Sequence, residues 1–155
     1  SALRLCTLFQ MTMPGAPCIY YGDEVGMTGA NDPYCRGAFP WHDQPSWNED
    51  LLAFHKQAIA MRHAHVALRT GSYEVLYAKE SIFAFNRVLG DEQMVVIFNV
   101  AKEKRSIDLP LSDALKPGIY NAVWGEGTYT TQSQRLPNIT IGGRSALVLK
   151  RAKEA

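Results

Sequence analysis

The chain has 155 residues, of which 46% are hydrophobic and 20% charged, with a net charge of +1. This is the composition of a globular chain and excludes a disordered one. The near-neutral charge leaves no electrostatic footprint for nucleic acid or an anionic membrane, and no apolar run reaches the ~18–20 residues that span a bilayer. The length also falls short of the ~200–250 residues of a complete (β/α)₈ barrel.

The first predicted element is a helix over residues 2–13. Leu3, Leu5, Cys6, Leu8, Phe9, Met11 and Met13 make it apolar, and Arg4, Thr7 and Gln10 recur every third position. That spacing predicts a buried helix with one narrow polar stripe, ended by Pro14 and Gly15. Residues 17–22 form a short apolar run between Pro and Gly, the pattern of a buried parallel strand. Residues 23–47 are rich in Gly, Pro, Asn and aromatics and show no period. Loops of that length are often functional.

Ser46 followed by Glu49 three residues later reads as a capping box, with Ser46 as N-cap. The helix that follows runs to about His65, its apolar face made by Leu51, Phe54, Ala58 and Met61 and widened by Leu52 and Ile59. From Ser72 the period changes to two. Seven short strands are predicted, at residues 73–77, 82–86, 94–100, 105–109, 118–124, 136–141 and 145–150. Gly90 with Asp91, Pro117 with Gly118, Gly125 with Gly127, and Gly142 with Gly143 mark turns between them. The continuous apolar run at 94–100 is the expected central strand, and the set argues for an antiparallel β-sandwich. The boundary between a helical part, residues 1–70, and a strand part, residues 71–155, falls near residues 68–72.

Cys6, Cys18 and Cys35 match neither a disulfide framework nor a zinc motif. They are expected to be structural thiols, Cys6 as a small buried hydrophobe, and they lean toward a reducing, cytoplasmic compartment. The sequence begins with Ser rather than Met, so the lack of a signal-peptide pattern carries little weight.

The densest polar constellation is Tyr20-Tyr21-Gly22-Asp23-Glu24, followed by Asn31-Asp32-Pro33-Tyr34-Cys35-Arg36. Carboxylates after a parallel strand stand where α/β folds place their sites. A polar ligand site there would use Asp32 and Arg36 on hydroxyls and the tyrosines against a ring face. On residue chemistry alone a structural loop is the stronger reading, with Asp32 and Arg36 pairing with neighbours and Asp23 or Glu24 capping a turn. Glycoside hydrolysis needs two carboxylates across a cleft. Asp23 and Glu24, adjacent on an extended segment, would face opposite ways, and nothing in the spacing selects Asp32 and Asp43. His55, His63 and His65 do not stand at a metal-binding spacing. No nucleophile elbow, P-loop or dinucleotide fingerprint occurs, and no cofactor is implied. In the strand half, Tyr120, Trp124 and Tyr129 offer either a sugar platform or core packing, the latter being commoner.

The run Pro14-Gly15-Ala16-Pro17-Cys18-Ile19-Tyr20-Tyr21-Gly22-Asp23-Glu24-Val25-Gly26-Met27 resembles the α-amylase superfamily, glycoside hydrolase family 13, at its passage into the eighth barrel strand. Asn31-Asp32-Pro33-Tyr34-Cys35-Arg36 and Phe39-Pro40-Trp41 resemble the next loop. Cys18 and Cys35 are most similar to the neopullulanase, cyclomaltodextrinase and maltogenic amylase branch. Trp47-Asn48-Glu49-Asp50-Leu51-Leu52 and Ile59-Ala60-Met61-Arg62 resemble the last barrel helix. The resemblance implies an α+β fragment: the last βα unit of a (β/α)₈ barrel over residues 1–70, then the antiparallel C-terminal β-sandwich over residues 71–155. It implies that Asp32 and Arg36 line glycone subsites for an α-glucan or maltooligosaccharide in a retaining enzyme of α-1,4 linkages. It also implies that the nucleophile Asp, the acid/base Glu and the stabilising Asp lie on earlier strands, so that this chain alone has no catalytic residue. The alternative is a stand-alone, non-catalytic carbohydrate-binding or interaction module. Apolar faces shaped for a barrel predict self-association through residues 1–60.

Overall fold

The computed structural model describes residues 2–153. Three helices come first: α1 (Ala2–Thr12), α2 (Glu49–Ala64) and α3 (Val66–Thr70). Three 3₁₀ turns, Asp23–Val25, Tyr34–Arg36 and Gln44–Ser46, lie between α1 and α2. Eight strands follow: β1 (Ser72–Lys79), β2 (Ile82–Leu89), β3 (Glu92–Asn99), β4 (Arg105–Pro110), β5 (Ile119–Trp124), β6 (Thr128–Thr130), β7 (Arg135–Ile141) and β8 (Ser145–Arg151).

The strands form a six-stranded sheet in the order β1-β2-β3-β8-β5-β6 and a two-stranded sheet of β4 and β7, paired antiparallel throughout. One core lies between the sheets, where Val95 and Ile97 of β3 and Leu147 and Leu149 of β8 meet Leu109, Leu136 and Ile139. A second core lies on the other face of the large sheet. There Met94, Val96, Phe98 and Val148 meet Leu8 and Met11 of α1, Ala58 and Met61 of α2, and Leu68 of α3. β3 is therefore buried on both faces, which is why its sequence is a continuous apolar run rather than an alternating one. Its place inside the sheet agrees with the expectation. β6 lay outside it, since three residues are too few to show a period.

The helical half departs from the expectation in three places. Residues 17–22 pair with no strand among the described residues. A parallel strand needs a neighbour with free ladder groups, and the described strands pair with one another. The α2 N-cap is Asn48, whose side-chain oxygen accepts from Leu51 N–H at 2.9 Å; Ser46 instead donates to its own turn, at Asp43 O. α1 buries Thr7, Leu8, Met11 and Thr12 rather than all but its polar stripe. It packs by one side, and Leu3, Phe9 and all three cysteines are exposed. Thr7, from the expected polar stripe, lies 3.1 Å from the buried His55 Nε2, while Arg4 pairs with Asp50 and covers the Phe54 ring.

Helices and sheet are joined by a charged cluster. The Glu92 carboxylate accepts from Ala67 N–H at 2.8 Å and pairs with Lys150 Nζ at 3.0 Å and His65 Nδ1 at 3.0 Å. Burial alone would raise its pKa. The hydrogen bonds from Ala67, Lys150 and His65 outweigh that and hold it down at about 2, against an ordinary 4.5. A folded-state pKa below the unfolded one adds stability at neutral pH that is lost as pH falls between those two values. Lowering the pH from about 5 to about 2 should therefore remove on the order of 2 kcal/mol from the unfolding free energy through this group. Urea titrations across that range should show Glu92→Gln losing most of this acid sensitivity. Equal sensitivity in both proteins would refute the assignment.

Candidate functional site

α1 ends at Thr12, and Gly15 turns the chain with a φ of 99°. Residues 16–20 then run without ladder partners to the first 3₁₀ turn. Gly22, with a φ of 96°, opens that turn, and its N–H donates to Glu24 Oε2 at 2.8 Å. Asp23 and Glu24 thus sit on a turn rather than an extended strand, and Glu24 closes it. The carbonyl of the buried Val25 accepts from Asn48 N–H at 3.0 Å, tying this turn to the start of α2.

The second turn follows a cis Asp32–Pro33 bond. Here the structure brings Asp32 and Arg36 together: Arg36 Nε lies 2.8 Å from Asp32 Oδ1, with side chains 70% and 63% exposed respectively. Cys35 Sγ lies 3.7 Å from the same oxygen. Tyr21 Oη reaches across to donate to Gly37 O at 3.0 Å. Between the turns lies a cleft of about 160 Å³, lined by Tyr20, Tyr21, Asp23, Met27, Cys35 and neighbouring glycines. Tyr20 and Tyr21 stand 4.8 Å apart, centre to centre. Partial desolvation, reinforced by Tyr21, pushes the Tyr20 phenol above its ordinary value. Beyond the cleft, Phe39, Trp41 and Trp47 form a ring cluster, with Trp47 Nε1 donating to Pro40 O.

The exposed aromatics of this segment, Tyr20, Tyr21, Tyr34 and Trp41, contrast with those of the sandwich. Tyr120 is fully buried, desolvation lifts its phenol to about 12, and its hydroxyl donates to Lys116 O. Trp124 meets Phe54 edge-on at 5.1 Å, and Tyr129 packs against the inter-sheet core. Tyr120 is core, and Trp124 and Tyr129 are half-buried rings packed against the two cores. Of the histidines, His55 is buried against Thr7 and Leu51 O, His63 is exposed, and His65 pairs with Glu92. No group of three His, Cys, Asp or Glu gathers as a metal-ligand set among the described residues.

The sequence reading missed two buried arginines, Arg62 and Arg87, which bond the carbonyls just upstream of the cleft. One signal for Arg87 was present: it shares the strand parity of Phe83 and Phe85, the inward face.

The family described as the α-amylase catalytic domain matches residues 1–65, and the α-amylase C-terminal domain matches residues 71–145. The cyclomaltodextrinase of Geobacillus thermopakistaniensis (strain MAS1) is 40% identical over 126 residues, covering 80% of this chain and 21% of that one. Neopullulanase 2 of Thermoactinomyces vulgaris is 35% identical over 133 residues, covering 84% of this chain and 23% of its own length. The crystal structure of a debranching enzyme from Nostoc punctiforme superimposes with a TM-score of 0.78 at 33% identity, over 95% of this chain and 30% of that one. The fold and these matches define a two-part segment, the end of a catalytic domain followed by a C-terminal domain. The chain belongs to the α-amylase family, glycoside hydrolase family 13, and corresponds to the C-terminal region of its members, with the antiparallel sandwich expected there. It spans about a fifth of the length of the curated relatives it matches.

The cleft geometry depends on Gly22. A Cβ there would meet Met27 Sδ at 2.5 Å, on a backbone conformation that side chains rarely adopt. Gly22→Ala should cost about 1–3 kcal/mol, whereas Asp32→Ala, in an exposed pair, should stay within about 0.5 kcal/mol of wild type. Thermal melts of the two variants check the contrast.

Proposed function

We propose that this chain is the C-terminal segment of a retaining enzyme that hydrolyses or transglycosylates α-1,4-linked glucans. In this reading residues 1–70 complete a catalytic barrel and residues 71–155 form its appended sandwich. The observation that carries it is the order of the two family matches along one chain, catalytic domain and then C-terminal domain. The relatives named cyclomaltodextrinase and neopullulanase support maltooligosaccharides or cyclodextrins as the substrate class.

A retaining mechanism needs an acid and a nucleophile ~5–5.5 Å apart. Two carboxylates of the loop are already engaged, Glu24 by Gly22 N–H and Asp32 by Arg36. This supports the reading that the reacting pair comes from other strands of a parent barrel. Asp32 and Arg36 are then substrate-binding groups: the fixed guanidinium fork and its partner carboxylate suit adjacent sugar hydroxyls. A reducing, cytoplasmic setting belongs to the same proposal, supported by three thiols that form no disulfide.

Incubated with maltohexaose or cyclomaltohexaose, the chain alone should release no reducing sugar above buffer; turnover would overturn the assignment of the chemistry to other segments. Exchanged for the matching segment of a cyclomaltodextrinase, it should restore cyclodextrin hydrolysis. In that chimera Asp32→Ala or Arg36→Ala should lower kcat/KM by about tenfold or more, the scale of losing a charge-assisted contact. A change under about twofold removes both residues from the site.

The exposed side of α1 supports self-association of the isolated chain through residues 1–60. Leu5, Cys6 and Phe9 border an apolar groove of about 350 Å³ against Phe83, Phe98 and Val100, and uncovered patches of this kind favour association. Light scattering should show dimers or larger species that Phe9→Glu dissociates. A wild-type monomer at high concentration would refute it.

A further inference from the structure

Residues 11–15 carry the chain from α1 toward the cleft, and their carbonyls converge on two guanidiniums. Arg62 Nη1 donates to Met11 O at 2.8 Å and Met13 O at 3.1 Å, and its Nη2 to Gly15 O at 2.6 Å. Arg87 Nη1, from the sheet, donates to Thr12 O at 2.6 Å. Both arginines also donate to one carbonyl, that of Leu68 in α3, at 2.8 and 2.7 Å. Arg87 reaches Gly71 O and Ser72 O as well, fixing the entry to β1.

Beyond Gly15 the chain is held at Ile19, which packs against the helical core, while Ala16, Pro17 and Cys18 are exposed. Pro17 has no N–H, and no backbone N–H of this stretch donates to a backbone carbonyl among the described residues. Among the described residues, the Arg62 bond to Gly15 O is the one hydrogen bond on this stretch. Five and six residues beyond Gly15 stand Tyr20 and Tyr21, which line the cleft. The turn after these rings is tied to α2 through Val25 O and Asn48 N–H, so Gly15 fixes the upstream end of the segment that carries them.

We propose that Arg62 is a positioning residue for the cleft, and that Arg87 couples the sandwich to it through the shared Leu68 carbonyl. This rests on the α-glucan reading of the cleft given above. The sandwich then has a role in substrate binding without touching substrate: it holds the end of α1, which aims the tyrosine segment. A lysine cannot replace either arginine. It presents a single ammonium, whereas each guanidinium spans carbonyls on two or three elements.

Order parameters from ¹⁵N relaxation over residues 15–22 of the chain test the tether directly. Wild type should give values near ~0.85, and Arg62→Lys should lower them to below ~0.6 with β3 and β8 unchanged. Wild-type values below ~0.6, or no change in a folded Arg62→Lys protein, overturn the proposal. In the cyclomaltodextrinase chimera, Arg62→Lys and Arg87→Lys should each raise KM by about fivefold with kcat within about twofold. A fall in kcat at constant KM overturns it. A chimera inactive with the wild-type segment counts against the α-glucan reading alone, because the relaxation data still decide whether the arginines position the segment.

Discussion

Two buried positive charges with no carboxylate partner hold the helical and strand parts together. Arg62 and Arg87 are 7% and 0% exposed, and among the described residues neither lies within ion-pair distance of an acid. Desolvation lowers both pKa values, and the proximity of Arg62 lowers that of Arg87 further. A buried charge with no compensation is costly. Here the compensation is a set of backbone carbonyls at two helix C-termini. Met11 and Thr12 belong to the last turn of α1, while Leu68 and Gly71 stand at the end of α3. The last carbonyls of a helix have no partner within it and carry the negative end of its dipole. Two guanidiniums meeting two such ends satisfy both needs, and the ends of α1 and α3 are pinned to β2 in the process.

That arrangement explains why the large sheet tolerates charge on its helix-facing side. Arg87 lies in β2 on the face that Phe83 and Phe85 also use, and Phe85 packs with Phe98 beneath the helices. On the same side Glu92 accepts from the Ala67 N–H at the start of α3. The five-residue α3 is thus held at its N-terminus by a carboxylate and at its C-terminus by guanidiniums, each matching the local dipole. A helix this short has little stability of its own, so these contacts and the burial of Ala67 and Leu68 hold it.

What the sequence revealed divides along physical lines. Features that depend on one strand's surroundings were legible. The run at 94–100 announced a strand covered on both faces, and glycine-marked turns placed its neighbours. Features that depend on competition between local partners were not. Ser46 and Asn48 both satisfy N-cap chemistry, and the choice went to Asn48 because Ser46 closes its own 3₁₀ turn. Cys6 and Phe9 carry the same hydrophobic signal as Leu8, yet only Leu8 is buried, and Phe9 meets Phe83 and Phe98 at the edge of an open groove. The apolar character of residues 17–22 announced burial that the described strands do not provide. For the site, the sequence placed Asp32 and Arg36 in one loop, and the structure joins them. It gave no hint that the loop's aim is set by Arg62 at the far end of α2.

The division of labour between frame and loop follows from the same chemistry. Arg62 and Arg87 hold backbone carbonyls, which every residue supplies, so their bonds do not select side chains along residues 11–15, where Met11 and Thr12 are fixed by burial instead. The loop beyond does the reverse. Its 3₁₀ turns are closed locally, by Glu24 on Gly22 and by Arg36 on Asp32, and its aromatic rings remain exposed. Polar groups already paired require little reorganisation when a further hydrogen-bonding partner arrives. An interior that must not move gains from charges that cannot be neutralised at any physiological pH, and arginine is the side chain with that property. The loop can therefore vary its contacts while the point from which it departs stays fixed.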